Sequence, residues 1–238
     1  MSDMKRSIWV GFDHREASAF AVCRDSIQRR LTLPIPVHGI VLKDLQMQQY
    51  YTRPTLTMNG RLFDPISDAP MSTEFAISRF FTPILAVEGW ALFMDCDMLV
   101  RTSLVRLFES LNPKYALYCV KHKHEPTESL KMDNQVQLHY ARKNWSSFCI
   151  FNCDHPSMRK LTVTMLNTLP GRDLHRFCWL EDDEIGELGP EWNYLVDETK
   201  ADVEPKVLHF TKGGPWMKGY EDVAYAEEWD EALRRWAR

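Results

Sequence analysis

At 238 residues, with 45% hydrophobic and 26% charged residues, the chain has the makeup of an ordinary globular protein long enough to bury a sizeable core. A formal net charge of −4, with no Lys/Arg cluster interleaved with aromatics, speaks against nucleic acid as a partner. The six cysteines show no C-x-x-C pair or disulfide-framework spacing, and no stretch has the length of a signal peptide or membrane span. These features lead us to expect reduced thiols in a cytoplasmic protein with at most peripheral contact at the inner membrane face.

Taken in order, Ser7 to Phe12 reads as a strand, followed by a helical pattern in which Phe20, Cys23, Ile27 and Leu31 share a face. A strand leading directly into an amphipathic helix opens an α/β fold. At the junction Asp13 precedes Glu16 by three residues. This spacing fits a helix cap with its reciprocal acid, and equally an acid at a strand end that accepts a hydrogen bond from a nucleotide base. Val37 to Leu42 is a second strand. Residues 43–70 show little periodicity and read as an insertion over the sheet.

Ser72 or Thr73 can cap a helix running toward Gly89, kinked at Pro83. Within it Arg79 sits among Phe75, Phe80 and Phe81, where a charge either reaches solvent or is held for a purpose. The next stretch, Trp90 to Val100, is a short apolar run interrupted by Asp95-Cys96-Asp97. Alternation along a strand turns both carboxylates the same way, and two hard oxygen ligands at the end of a buried strand suit Mn2+ or Mg2+.

A helix follows through Leu104, Leu107, Phe108 and Leu111, then a strand from Tyr115 to Val120. Residues 121–144 are polar, and His122 and His124 beside lysines read as a solvated loop rather than metal ligands. Ser147 to Phe151 is a strand ending at Asn152. A helix carrying Met158, Leu161, Met165, Leu166 and Leu169 is stopped by Pro170 and Gly171. The run Glu181 to Glu184 is acidic and expected to be exposed. Pro205 to Phe210 is a last strand, leading into Thr211-Lys212-Gly213-Gly214-Pro215-Trp216. There His209 can complete a divalent site, while Lys212 and the glycines can receive a phosphate. Residues 220–238 close the chain as an amphipathic helix with Tyr225, Trp229, Leu233 and Trp236 in one stripe.

The strand ending in D-C-D, the late H-F-T-K-G-G-P-W and the N-terminal strand turning at Asp13 together resemble glycosyltransferase family 8, the glycogenin and bacterial galactosyltransferase group. The resemblance runs from Trp9 to about Trp216. It implies a GT-A fold, a Rossmann-like mixed sheet flanked by helices, forming one domain over residues 1–238. It also implies a hexosyltransferase that uses Mn2+ and a UDP-sugar, with retention of configuration. Carried over by position, Asp95, Asp97 and His209 would be metal ligands. Phe12, Asp13, Arg79, Cys96, Asn152, Lys212 and Gly213 would line the donor. Asp182 and Asp183 fall where the family has a pair close to the anomeric carbon, and would be catalytic. The acceptor would be a glycan, a lipid-linked glycan or a small molecule. A nucleotide-sugar hydrolase or nucleotidyltransferase, and a non-catalytic protein of the same shape, are the competing readings.

Overall fold

A computed structural model describes residues 5–58, 60–122, 145–199 and 202–238. The elements, in order, are β1 (Arg6–Gly11), α1 (Ala17–Gln28), β2 (Val37–Ile40), α2 (Leu42–Met47), β3 (Leu56–Met58), β4 (Arg61–Asp64) and β5 (Ala69–Pro70). There follow α3 (Phe75–Ser78), α4 (Thr82–Ala86), β6 (Trp90–Met94), β7 (Met98–Val100), α5 (Val105–Glu109), β8 (Leu117–Cys119) and β9 (Phe148–Asn152). The chain ends with α6 (Val163–Thr168), α7 (Gly171–His175), β10 (Ile185–Glu187), β11 (Tyr194–Leu195), β12 (Val207–His209) and α8 (Ala226–Trp236).

A six-stranded sheet in the order β10-β8-β9-β6-β1-β2 forms the centre, with a three-stranded sheet β11-β12-β7 beside it. Every residue of β6 and of β9 is buried, as expected for neighbouring strands covered on both faces. β9 runs antiparallel to both of its neighbours, while β1, β2, β6, β8 and β10 all point one way. The carboxyl ends of β1, β6 and β8 therefore share one edge of the sheet. The end of β9 and the start of β10 lie at the opposite edge.

Three expectations change. Residues 43–70 are not without structure: they hold α2 and a small antiparallel sheet, β3-β4-β5. The helix expected between Ser72 and Gly89 is broken into α3, a 3-10 turn Arg79–Phe81 and α4. Pro83 has no N–H to give the Arg79 carbonyl, and Thr82 Oγ1 donates to it instead at 2.7 Å. The helix expected through Met158 and Leu169 is likewise split, into a 3-10 turn Pro156–Lys160 and α6. Its presumed stop, Pro170, sits at the N-cap of α7.

The stripe of α1 buries Ala19, Val22, Cys23 and Ile27. α8 lays Trp229 and Ala232 into a second apolar cluster with Val22, Leu99, Leu208 and Phe210, while Trp236 is half exposed. Packing on α1 and β12 thus accounts for most of its stripe. Among the described residues no helix is long and apolar enough to cross a membrane.

Candidate metal centre

The D-C-D segment is not the tail of one strand. β6 ends at Met94, Asp95 to Asp97 turn, and β7 leaves to join the other sheet. The turn is pinned on both sides: Asp95 N–H donates to the Ser147 carbonyl at 2.9 Å, and Phe210 N–H donates to the Asp97 carbonyl at 3.0 Å. Because β12 pairs antiparallel with β7, His209 stands opposite Met98 and so beside Asp97. One ligand atom each from Asp95, Asp97 and His209 fall within 4.8 Å of one another. Residues more than a hundred positions apart are brought together by that single register.

The side chains are nearly dry, at 14% exposure for Asp95, 18% for Asp97 and 3% for His209. His209 Nε2 lies 3.4 Å from Asp97 Oδ1. Arg79, buried and lying over the Phe75 and Phe93 rings, places Nη1 2.9 Å from Asp95 Oδ1 and donates to the Ser146 carbonyl at 3.0 Å. Its company of aromatics thus holds it for the carboxylates rather than letting it reach solvent. Gly11 makes this possible, since a Cβ there would meet the Phe75 ring at 2.4 Å and lift α3 off the end of β1.

Burial pushes the Asp95 carboxyl up to about 6, with Arg79 opposing the rise and Asp97 adding to it. Burial also works against ionisation of Asp97, but neighbouring His209 outweighs it and holds that carboxyl below its ordinary value. The imidazole is correspondingly raised: burial resists its charge and Asp97 prevails. Oδ1 of Asp95 and Oδ1 of Asp97 are buried with no hydrogen-bond partner; the 2.9 Å approach of Arg79 is an ion pair outside hydrogen-bond geometry. Two orphaned anionic oxygens facing an imidazole nitrogen are the donor set that a hard divalent cation satisfies. The residues present therefore fit Mn2+ or Mg2+.

The other expected residues divide. Asp13 lies at the same edge but is saturated, with Oδ1 accepting from Arg15 N and Nε and Oδ2 from Arg15 Nη2 and Glu74 N. It caps the first turn and has no lone pair left for a nucleotide base in this arrangement. That Arg15 guanidinium also spoils the second acidic cluster, Asp13 with His14 and Glu74, as a cation site. Phe12 packs edge-on against Phe20. Glu16 does not reciprocate the cap. It turns inward to accept from Cys96 Sγ at 3.3 Å, and burial followed by the charge of Asp97 raises it to about 7. Cys96 thus faces Glu16, and burial keeps its thiol far above the usual range. Lys212 is exposed and pairs with Glu198 at 3.4 Å, and the space a side chain on Gly213 would need is filled by Tyr220.

Asn152, Asp182 and Asp183 are not brought to the cluster. Asn152 pairs in register with Trp90, at the start of β6, and its amide donates to the Pro113 and Tyr115 carbonyls at 3.1 Å each. Asp182 and Asp183 are exposed in a short 3-10 turn that leads into the start of β10. Both positions lie at the edge opposite the carboxylate turn, about 15 Å away by the rise of a five-residue strand. The antiparallel course of β9 puts Asn152 there, and Asp182 and Asp183 are there because they lead into the start of β10.

The fold instead supplies residues that sequence reasoning missed. Asn193, fully buried in the turn before β11, sets Oδ1 2.8 Å from His209 Nδ1 and donates from Nδ2 to Ser147 Oγ at 2.9 Å. His122, read as part of a solvated loop, follows β8 to the metal edge; burial and then His209 push it down to about 4, and its Nε2 is buried without a hydrogen-bond partner. His175, lowered to about 3 by burial and then Arg79, holds Ser146 Oγ at 2.7 Å, beneath the carbonyl that receives Arg79. No spacing rule marks these residues. His124 lies outside the described residues.

No family model matches the chain. Protein CDI of Arabidopsis thaliana is 41% identical over 228 residues, covering 93% of this chain and 83% of that protein. The chain belongs to the CDI family. Among solved structures, this CDI-family chain resembles the bifunctional glycosyltransferase WbbM (TM-score 0.62, 15% identity, 97% of this chain and 50% of that one). It also resembles LgtC, a galactosyltransferase solved with donor and acceptor sugar analogues (TM-score 0.60, 15% identity, 96% and 95%). A third likeness is to the glycosyltransferase GlyE of Streptococcus pneumoniae TIGR4 (TM-score 0.60, 15% identity, 96% and 61%). The chain therefore spans half of WbbM and under two thirds of GlyE, but nearly all of LgtC. At this identity the likeness establishes the fold: the CDI-family chain has the GT-A architecture of these enzymes, a mixed sheet flanked by helices.

Proposed function

We propose that this chain is a divalent-metal-dependent glycosyltransferase of the family 8 type, moving a hexose from a UDP-sugar to an acceptor hydroxyl with retention. The observation that carries the reading is the meeting of Asp95, Asp97 and His209, with two buried carboxylate oxygens that accept no hydrogen bond, at the carboxyl edge of a GT-A sheet. Ligands of open α/β sheets bind at that edge. The glycosyltransferase neighbours, one solved with donor and acceptor sugar analogues, support the reaction class.

Asp95, Asp97 and His209 would hold Mn2+ or Mg2+, which when bound supplies positive charge for a diphosphate leaving group. Arg79 keeps Asp95 turned into the cluster and lowers the cost of ionising it. The small exposure of the three ligands keeps competing water away, which strengthens charge interactions there. A glycan, a lipid-linked glycan or a small glycoside is the acceptor class. The buried free thiols Cys23, Cys96 and Cys149 suit a reducing cytoplasm.

Titration calorimetry of UDP, first with Mn2+ and then with EDTA, tests the reading. Micromolar binding that needs Mn2+, is lost in Asp97→Ala and leaves the circular dichroism spectrum unchanged is expected. No binding under either condition would overturn it. The far-edge position of Asp182 and Asp183 favours one second reading, a metal-binding GT-A protein without turnover. Metal-dependent UDP binding with no sugar release or transfer across a donor panel would select it.

A further inference from the structure

We infer that Asn193, held by Ser147, is the positioning residue that makes His209 a metal ligand; this rests on the metal site proposed above. A neutral imidazole has one N–H and one lone pair, and only the lone-pair nitrogen can bind a cation. His209 has two competing partners: Asn193 Oδ1 at 2.8 Å from Nδ1, and Asp97 Oδ1 at 3.4 Å from Nε2. Both accept hydrogen bonds. If the proton sits on Nδ1, it goes to Asn193 and Nε2 offers its lone pair beside Asp95 and Asp97. If it sits on Nε2, it goes to Asp97 and the ligand is lost.

Asn193 decides between these forms through the orientation of its amide. Nδ2 donates to Ser147 Oγ at 2.9 Å, and Oδ1, the acceptor, faces the imidazole. Asn193 is 0% exposed and His209 2% exposed, so water offers no substitute on that side. Ser147 also accepts the Asp95 N–H through its carbonyl, so one residue at the entry to β9 ties the carboxylate turn and, through Asn193, the imidazole. Three of the contacts that set the site thus converge on a Ser–Asn pair that touches no cation itself. Metal-bound histidines characteristically donate their other N–H to such a partner, and its loss weakens metal binding about 10- to 100-fold.

The test is Mn2+ affinity, read from the EPR signal of free Mn2+, for wild type, Asn193→Ala, Asn193→Asp and Ser147→Ala. It is paired with 15N chemical shifts of the His209 ring in the metal-free wild type, at a pH where the imidazole is neutral. Expected are a loss of about 10- to 100-fold in Asn193→Ala, a smaller loss in Ser147→Ala, and near wild-type affinity in Asn193→Asp, whose carboxylate still accepts from Nδ1. The wild-type ring should be the Nδ1–H tautomer. Equal Mn2+ affinity in wild type and Asn193→Ala, or an Nε2–H ring in the wild type, would overturn the inference while leaving the metal site standing. No Mn2+ binding by the wild type would overturn the metal site itself. The ring spectrum needs no substitution, so a variant that fails to fold does not remove the test.

Discussion

Replacing Arg79 with methionine keeps an unbranched stem between Phe75 and Phe93 and removes the guanidinium beside Asp95. In the intact protein Asp95 stands at about 6, and Arg79 is what holds it there against burial and Asp97. Without that charge the carboxyl rises past neutrality and takes up a proton at pH 7. Proton uptake caps the electrostatic loss: from about 6 to pH 7 is one unit, worth about 1 kcal/mol. The Ser146 carbonyl also loses its Nη1 donor, which costs about 1 to 3 kcal/mol for a buried acceptor left unpaired. The variant should therefore be about 2 to 4 kcal/mol less stable at pH 7. At pH 5 Asp95 is mostly protonated in both proteins, so only the carbonyl contribution remains. Urea unfolding of both proteins at the two pH values measures this. A loss of the same size at pH 5 and pH 7 would refute the electrostatic argument and leave Arg79 as a packing residue.

The metal-free protein should lose stability as pH rises from 6.5 to 8. Glu16, raised to about 7, and His209, also raised, bind protons in the folded state that the unfolded chain has released, so both contributions fall as pH rises through their folded values. His122 and His175 are lowered and act with the opposite sign, an opposition that fades as pH rises above the ordinary histidine value of about 6.5. Thermal melts across this window should fall with pH in EDTA, and a flat or rising profile would contradict the assignment. Asn152→Ala should cost about 1 to 3 kcal/mol through two lost carbonyl contacts. Together with Asp182→Asn and Asp183→Asn, it should leave UDP affinity and turnover unchanged. A drop in turnover in any of the three at intact stability would return those residues to the site.

Strand runs and their end residues were readable because they are local. β1, β6 and β9 are short apolar stretches, and Asp95, Asp97 and His209 are metal-ligating side chains at the ends of such stretches. The family resemblance added the expectation that they meet, and the register of β12 on β7 brings them together. Periodicity reports which face of an element is buried, not which way the element points in its sheet. That direction depends on pairing between distant segments, and here the antiparallel course of β9 carried Asn152 away from the site, while Asp182 and Asp183 precede β10 at the same far edge. For the same reason Asn193 carries no signal in sequence and His122 reads there as a loop residue: each is set near the site only by the buried group that folding places beside it. The residue types and the strands that bear them were determined by the sequence itself. Which of those residues share one dry corner was decided only by the tertiary structure, because hydrogen-bond partners and shielding from water exist only after distant strands have paired.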